Sequence, residues 1–113
     1  MEYRQISDDY SVSGQITTED VATIKAAGFK GVICNRPDNE QPGQPSAAEI
    51  RQVVEAAGLG FRHVPMVSGQ PVTMEDAEAM ATALDELEGP VFAYCRSGAR
   101  STNLFLAAQQ IRG

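Results

Sequence analysis

The chain is poor in several residues on which common architectures and chemistries depend. It has no tryptophan, a single histidine (His63), and two cysteines, Cys34 and Cys95. Two cysteines cannot build a disulfide framework, and one histidine with two separated cysteines falls short of any usual metal-ligand set. No metal and no cofactor are therefore expected. Positive charge is also scarce: nine Lys and Arg stand against fifteen Asp and Glu, a net charge of −6 with a pI near 4.6. That balance argues against a nucleic-acid or anionic-membrane surface, whose phosphates reward a basic patch. It leaves room for a local cationic pocket around a small anionic substrate. No apolar run approaches the ~20 residues needed to cross a bilayer. Met1-Glu2-Tyr3-Arg4-Gln5 lacks the basic start and apolar region of a secretory signal. A soluble cytoplasmic protein is expected.

What remains is an ordinary globular composition. Hydrophobic residues make up 42% and charged residues 21% of 113 residues, enough for one modest core and a single domain over residues 1–113. Strand-like and helix-like segments alternate. Tyr10-Ser11-Val12-Ser13 reads as a short strand. Thr17-Thr18-Glu19-Asp20 reads as a hydroxyl-capped helix start, and Val21, Ile24 and Ala27 keep helical spacing up to Gly28. Gly31-Val32-Ile33-Cys34-Asn35 has the look of a strand buried on both faces. Arg36 to Pro45 is a loop, and Ser46-Ala47-Ala48-Glu49 is a capping box opening a helix to Gly58. Phe61 to Val64 alternates again, and a capped helix runs from Thr73 towards Gly89-Pro90. Val91-Phe92-Ala93-Tyr94 is the last strand and Ser101 to Ile111 the last helix. Strands separated by helices imply an α/β domain, a small and mainly parallel sheet flanked by helices.

One segment stands out chemically, Cys95-Arg96-Ser97-Gly98-Ala99-Arg100-Ser101. A buried strand delivers a cysteine into a short glycine-containing loop that runs straight into a helix. Ligands bind at the carboxyl ends of strands in open α/β sheets. Successive loop N–H groups and the unpaired donors of a helix N-terminus make an anion-binding nest there. Arg96, Ser97, Gly98, Ala99 and Ser101 are accordingly the candidate anion-binding residues. Cys95 and Arg100 are the candidate catalytic pair. The helix terminus and the two guanidinium groups should lower the thiol's pKa and make Cys95 a nucleophile near neutral pH.

The loop resembles the C-R-x-G-x-R active-site loop of rhodanese sulfurtransferases. From Tyr10 to about Ala108 the chain resembles the bacterial beta-lactamase-hydrolase-like, phosphatase-like domain family. Val12-Ser13-Gly14-Gln15, Gly31 to Asp38 and the Cys95 loop carry that likeness. The resemblance implies a fold of the tyrosine and dual-specificity phosphatase type. It also implies a persulfide-oxidising enzyme as a candidate partner, since some members are fused to such a metallo-hydrolase domain.

Two reactions compete at such a site. Cysteine phosphatases carry C-x5-R, with arginine six positions after the nucleophile. Here the sixth position is Ser101, and Arg100 is the fifth. A ring of amides one residue shorter suits the terminal sulfur of a persulfide more readily than a tetrahedral phosphate. A phosphatase also needs a proton donor for its leaving group, and Pro65 to Val72 contains no carboxylate. Asp38 is the best substitute, and Arg36, at the end of the same strand, is a candidate rim cation. Sulfur transfer needs no such donor. The residues therefore favour sulfane-sulfur transfer from thiosulfate or a low-molecular-weight persulfide through a Cys95 persulfide. The alternative is hydrolysis of a phosphate ester through a phosphocysteine, and a third reading is a non-catalytic anion- or persulfide-carrying module. Cys34 reads as a small core residue or a resolving thiol, and His63 as a structural histidine.

Overall fold

Nine short elements follow one another in the computed structural model, which describes residues 1–112. They are β1 (Arg4–Ser7), β2 (Tyr10–Ser13), α1 (Asp20–Ala26), β3 (Gly31–Cys34), α2 (Ala47–Ala56), β4 (Gly60–His63), α3 (Met74–Glu86), β5 (Val91–Tyr94) and α4 (Ala99–Arg112). The five strands form one sheet in the order β1-β2-β5-β3-β4. β2, β5, β3 and β4 are parallel, and β1 pairs antiparallel with β2 at the edge. The expected α/β fold with a mainly parallel sheet is the one observed.

Side-chain alternation along the strands divides the core in two. Val91 and Ala93 of β5 pack with Tyr10, Val12 and Ile33 beneath α3 and α4. Phe92 and Tyr94 pack with Val32, Cys34 and Phe61 beneath α1 and α2. Every residue of β2, β3 and β5 is buried, as strands covered by helices on both faces require. The register sets Ser13, Tyr94, Cys34 and His63 side by side across the four parallel strands. Four chain segments therefore leave the sheet at one level, beginning at Gly14, Asn35, Val64 and Cys95.

Both expected capping boxes form, Ser46 with Glu49 and Thr73 with Asp76. Three local readings change. β1 is an additional strand; Ile6 is its only large apolar side chain and its faces are largely exposed, so it carries no hydrophobic alternation. α1 has no side-chain cap: the Asp20 carboxylate instead accepts the Thr17 N–H at 2.9 Å. α4 begins two residues earlier than the apolar pattern suggests, at Ala99, which brings Arg100 into its first turn.

Tyr10 ties α4 to the sheet. Its ring stacks on Phe105 with centroids 4.1 Å apart, and its hydroxyl donates to the Ser101 carbonyl at 2.8 Å. Burial, with a smaller contribution from the Cys95 charge, pushes the Tyr10 hydroxyl pKa up, so it stays a donor. Tyr10→Phe keeps the stack and removes the hydroxyl's bond to the Ser101 carbonyl. It is expected to lower unfolding stability by about 1–2 kcal/mol in urea titration; an unchanged midpoint would show that the hydroxyl does not hold α4.

Candidate active site

The Cys95 loop is built by close backbone packing. The Cys95 N–H donates to the Ser13 carbonyl at 3.3 Å, extending the β2–β5 pairing by one residue. Gly14 passes so near the loop that a Cβ there would lie 2.8 Å from the Arg96 carbonyl oxygen. Gly98 has φ +95°, a conformation that L side chains rarely adopt, and it turns the chain into α4. In consequence the Gly98 N–H points back at the Cys95 sulfur, 3.1 Å away.

Cys95 is 1% exposed. Burial alone would raise its pKa. The Ser101 and Ser97 amides, the Ser101 hydroxyl and the Gly98 amide donate towards the sulfur and outweigh that cost, holding the thiol below its ordinary range. The thiolate is therefore stabilised chiefly by oriented N–H and O–H groups rather than by both arginines as the sequence suggested. Arg96 is exposed at the surface of the loop. The Ser101 hydroxyl is fully buried and has no hydrogen-bond partner at contact distance among the described residues, so it acts on the sulfur as a nearby dipole.

Arg100 is held by a partner the sequence did not reveal. Glu40, in the loop after β3, receives Nη1 at 2.7 Å on Oε2 and Nη2 at 2.9 Å on Oε1. The Met66 carbonyl, after β4, takes a second Nη1 proton at 2.8 Å. A guanidinium has five N–H donors in a plane, and these contacts use three. The Nε–H and one Nη2 proton remain, side by side on one edge, with no acceptor among the described residues. The Glu40 hydrogen bonds, with a smaller contribution from Cys95, raise the Arg100 pKa against the opposing effect of burial. Arg100 thus stands beside the sulfur with a two-donor fork still available.

Arg36 is not a rim cation. It is 2% exposed, and its three nitrogens reach Glu40 Oε1 at 2.8 Å, Gln15 Oε1 at 3.0 Å and Gln41 Oε1 at 3.2 Å. It is a positioning residue that holds Glu40 through Oε1, the oxygen that also receives Arg100 Nη2. The His63 Nε2 and the Cys34 Sγ both approach the Arg36 carbonyl, at 2.9 and 3.3 Å. Cys34 is buried in the α1/α2 side of the core, with a pKa raised by burial. Asp38 has Oδ1 2.8 Å from the Ala47 N–H at the start of α2, where it serves as a cap. Of the sequence candidates, the structure brings together Cys95, Ser97, Gly98, Arg100 and Ser101. Glu40, the Met66 carbonyl and Gln15 are the additions. Glu40 lies sixty residues from Arg100 in the chain, and no spacing rule joins residues that far apart.

The Arg100 hydrogen bonds, with a smaller contribution from Arg36, overcome the opposing effect of burial and hold the Glu40 carboxyl pKa down at about 2, against an ordinary value of 4.5. A depressed carboxyl pKa stabilises the fold above the unfolded-state value and loses that contribution as pH falls through the folded one. Wild type is expected to exceed Glu40→Gln in stability by about 2–3 kcal/mol at neutral pH. The gap should close between pH about 4.5 and about 2. Denaturant titrations across that range check it; a gap independent of pH would show that Glu40 acts through shape rather than charge.

Comparison with known proteins places this geometry. Residues 2–111 match the phosphatase-like domain of beta-lactamase hydrolase-like proteins. The beta-lactamase hydrolase-like protein of Agrobacterium fabrum is 36% identical over 109 residues, covering 96% of this chain and 25% of that protein. The chain thus spans about a quarter of the length of the curated relatives it matches. The crystal structure of a phosphatase candidate from Neisseria meningitidis superposes with a TM-score of 0.85 at 35% identity, covering 97% of this chain and 78% of that one. Tk-PTP shares the fold more distantly, with a TM-score of 0.67 at 16% identity over 98% of this chain and 81% of its own. With its tyrosine-phosphatase-like fold, the chain belongs to the beta-lactamase hydrolase-like protein, phosphatase-like domain family.

Proposed function

We propose that this domain is a cysteine-dependent phosphatase that hydrolyses a small phosphorylated substrate through a phosphocysteine on Cys95. The observation that carries the reading is the state of Arg100. Glu40 and the Met66 carbonyl occupy one end of its guanidinium, and the remaining fork lies beside a stabilised thiolate. Two parallel N–H donors match two oxygens of a phosphoryl group. Likeness to a phosphatase candidate at 35% identity agrees with it. The site charge agrees as well, because Arg36 and Arg100 against Glu40 leave one positive charge, which offsets the Cys95 thiolate as the anion approaches.

The chemistry follows from the placement of groups. The Cys95 sulfur attacks phosphorus, the P–S bond forms, and the bond to the leaving group breaks. The Arg100 fork takes two of the equatorial oxygens as their charge develops. Water then attacks the phosphocysteine, releasing phosphate and regenerating the thiolate, which the Gly98 amide and Ser101 hydroxyl stabilise as a leaving group.

One feature favours a second reading, sulfane-sulfur transfer. The four residues between Cys95 and Arg100 are one fewer than in C-x5-R, and a tighter ring suits a single sulfur. Such a reaction would call for thiosulfate or a persulfide as donor and a persulfide-oxidising enzyme as partner. Paired turnover assays separate the readings, one with an aryl phosphate and one with thiosulfate or glutathione persulfide and a thiol acceptor. Wild type is expected to release phosphate and to yield a trapped phosphocysteine, with both lost in Cys95→Ser. Arg100→Lys keeps the charge but not the fork and should lower kcat/KM by about 100-fold or more. A Cys95 persulfide with fast sulfur transfer and no phosphate release would establish the second reading instead.

A further inference from the structure

We infer that the substrate is a phosphoanhydride, whose leaving group departs as a phosphate anion and needs no proton from the protein. The inference rests on the phosphatase reading and deepens it. It comes from the carboxylates at the catalytic end of the sheet. Glu40 lies in contact with Arg100, but two guanidinium groups hold it ionised, so it cannot carry a proton to a departing oxygen at neutral pH. Asp38 is aimed at the Ala47 N–H. Asp20 and Asp76 each accept the backbone N–H of the residue three before them at their own helix starts, and Glu49 does the same for Ser46. Glu19 and Glu75 are exposed and make no hydrogen bond among the described residues. The segment from Val64 to Val72, which supplies the Met66 carbonyl to Arg100, has no acidic residue at all.

A leaving alkoxide is a strong base and departs slowly unless protonated; a positioned acid contributes about 10²–10⁴-fold to such a step. Phosphate leaving from an anhydride is already a stable anion. Its requirement is charge stabilisation, and the loop has a cation for it. Arg96, next to the nucleophile, is exposed with no hydrogen-bond or ion-pair partner among the described residues. Arg100 takes the transferred phosphoryl group, leaving Arg96 for the departing phosphate. In the balanced step the S–P bond forms as the bridging P–O bond breaks, and the bond pair stays on the departing phosphate oxygen. Water afterwards supplies the oxygen that replaces sulfur, and its protons pass to phosphate and solvent.

The test measures kcat/KM for inorganic pyrophosphate, 4-nitrophenyl phosphate and glycerol phosphate, on wild type, Cys95→Ser and Arg96→Ala. Pyrophosphate and the nitrophenyl ester are expected to exceed glycerol phosphate by about 100-fold or more. Arg96→Ala should reduce the pyrophosphate value about tenfold more than the nitrophenyl value. Glycerol phosphate turned over within about tenfold of the others would overturn the inference and leave the phosphatase reading standing. Fast nitrophenyl turnover with slow pyrophosphate turnover, or an equal effect of Arg96→Ala on both, would reject the anhydride. No Cys95-dependent phosphate release from any of the three would bring down the phosphatase reading and this inference together.

Discussion

The site depends on one carboxylate shared between two guanidinium groups. Glu40 is 22% exposed and draws its three hydrogen bonds from Arg36 and Arg100. Without it, Arg36 at 2% exposure and Arg100 at 7% would be neighbouring buried cations, an arrangement that costs several kcal/mol per unpaired charge. With it, the pair keeps one net positive charge whose direction is set by Arg100. Breaking the pair therefore disturbs two properties at once. Stability falls because buried charge loses its partner, and recognition falls because the guanidinium is no longer fixed in one plane.

Stabilisation of the Cys95 thiolate has a different origin. The Cys95 sulfur lies among donors whose positions are set by the backbone: the Gly98 turn, the first turn of α4, and the Ser13 pairing that continues the sheet by one residue. Such donors need no reorganisation when charge develops on sulfur, and buried dipoles act more strongly than the same groups in water. Gly14 belongs to this construction, because only a residue without Cβ lets the β2 end pass the Arg96 carbonyl at that distance.

The architecture was legible where the physics is local. Apolar runs marked β2, β3 and β5, and the Ser46 and Thr73 boxes marked the starts of α2 and α3, since all of these depend on neighbours within a few residues. The Cys95 loop was legible for the same reason, as strand, cysteine, glycine and helix are contiguous. β1 was not, because an exposed edge strand is held by backbone pairing with β2 and needs no apolar pattern. Arg36 looked like a surface cation because its acceptors are uncharged Gln15 and Gln41 and a glutamate in a polar loop. Glu40 and Gln41 are local to its loop, and only the register that brings the ends of β2 and β3 to one level makes Gln15 its neighbour. Glu40 was invisible in the same way: its role exists only after β5 is inserted between β2 and β3.

The short loop and the clamp are two sides of one solution. Four residues separate Cys95 from Arg100, and Arg100 stands in the first turn of α4, which starts at Ala99. A side chain leaving a helix there does not automatically turn towards a sulfur at the end of the preceding strand. The contacts that fix its orientation come from outside the loop. Glu40 and the Met66 carbonyl, from the ends of β3 and β4, supply it by occupying the far end of the guanidinium. The groups that fix Arg100 beside Cys95 are thereby distributed over three strand ends rather than contained in one. That makes room for a substrate dependent on alignment from Arg36, Glu40 and Gln15 together, residues that a reading confined to Cys95 through Arg100 does not include.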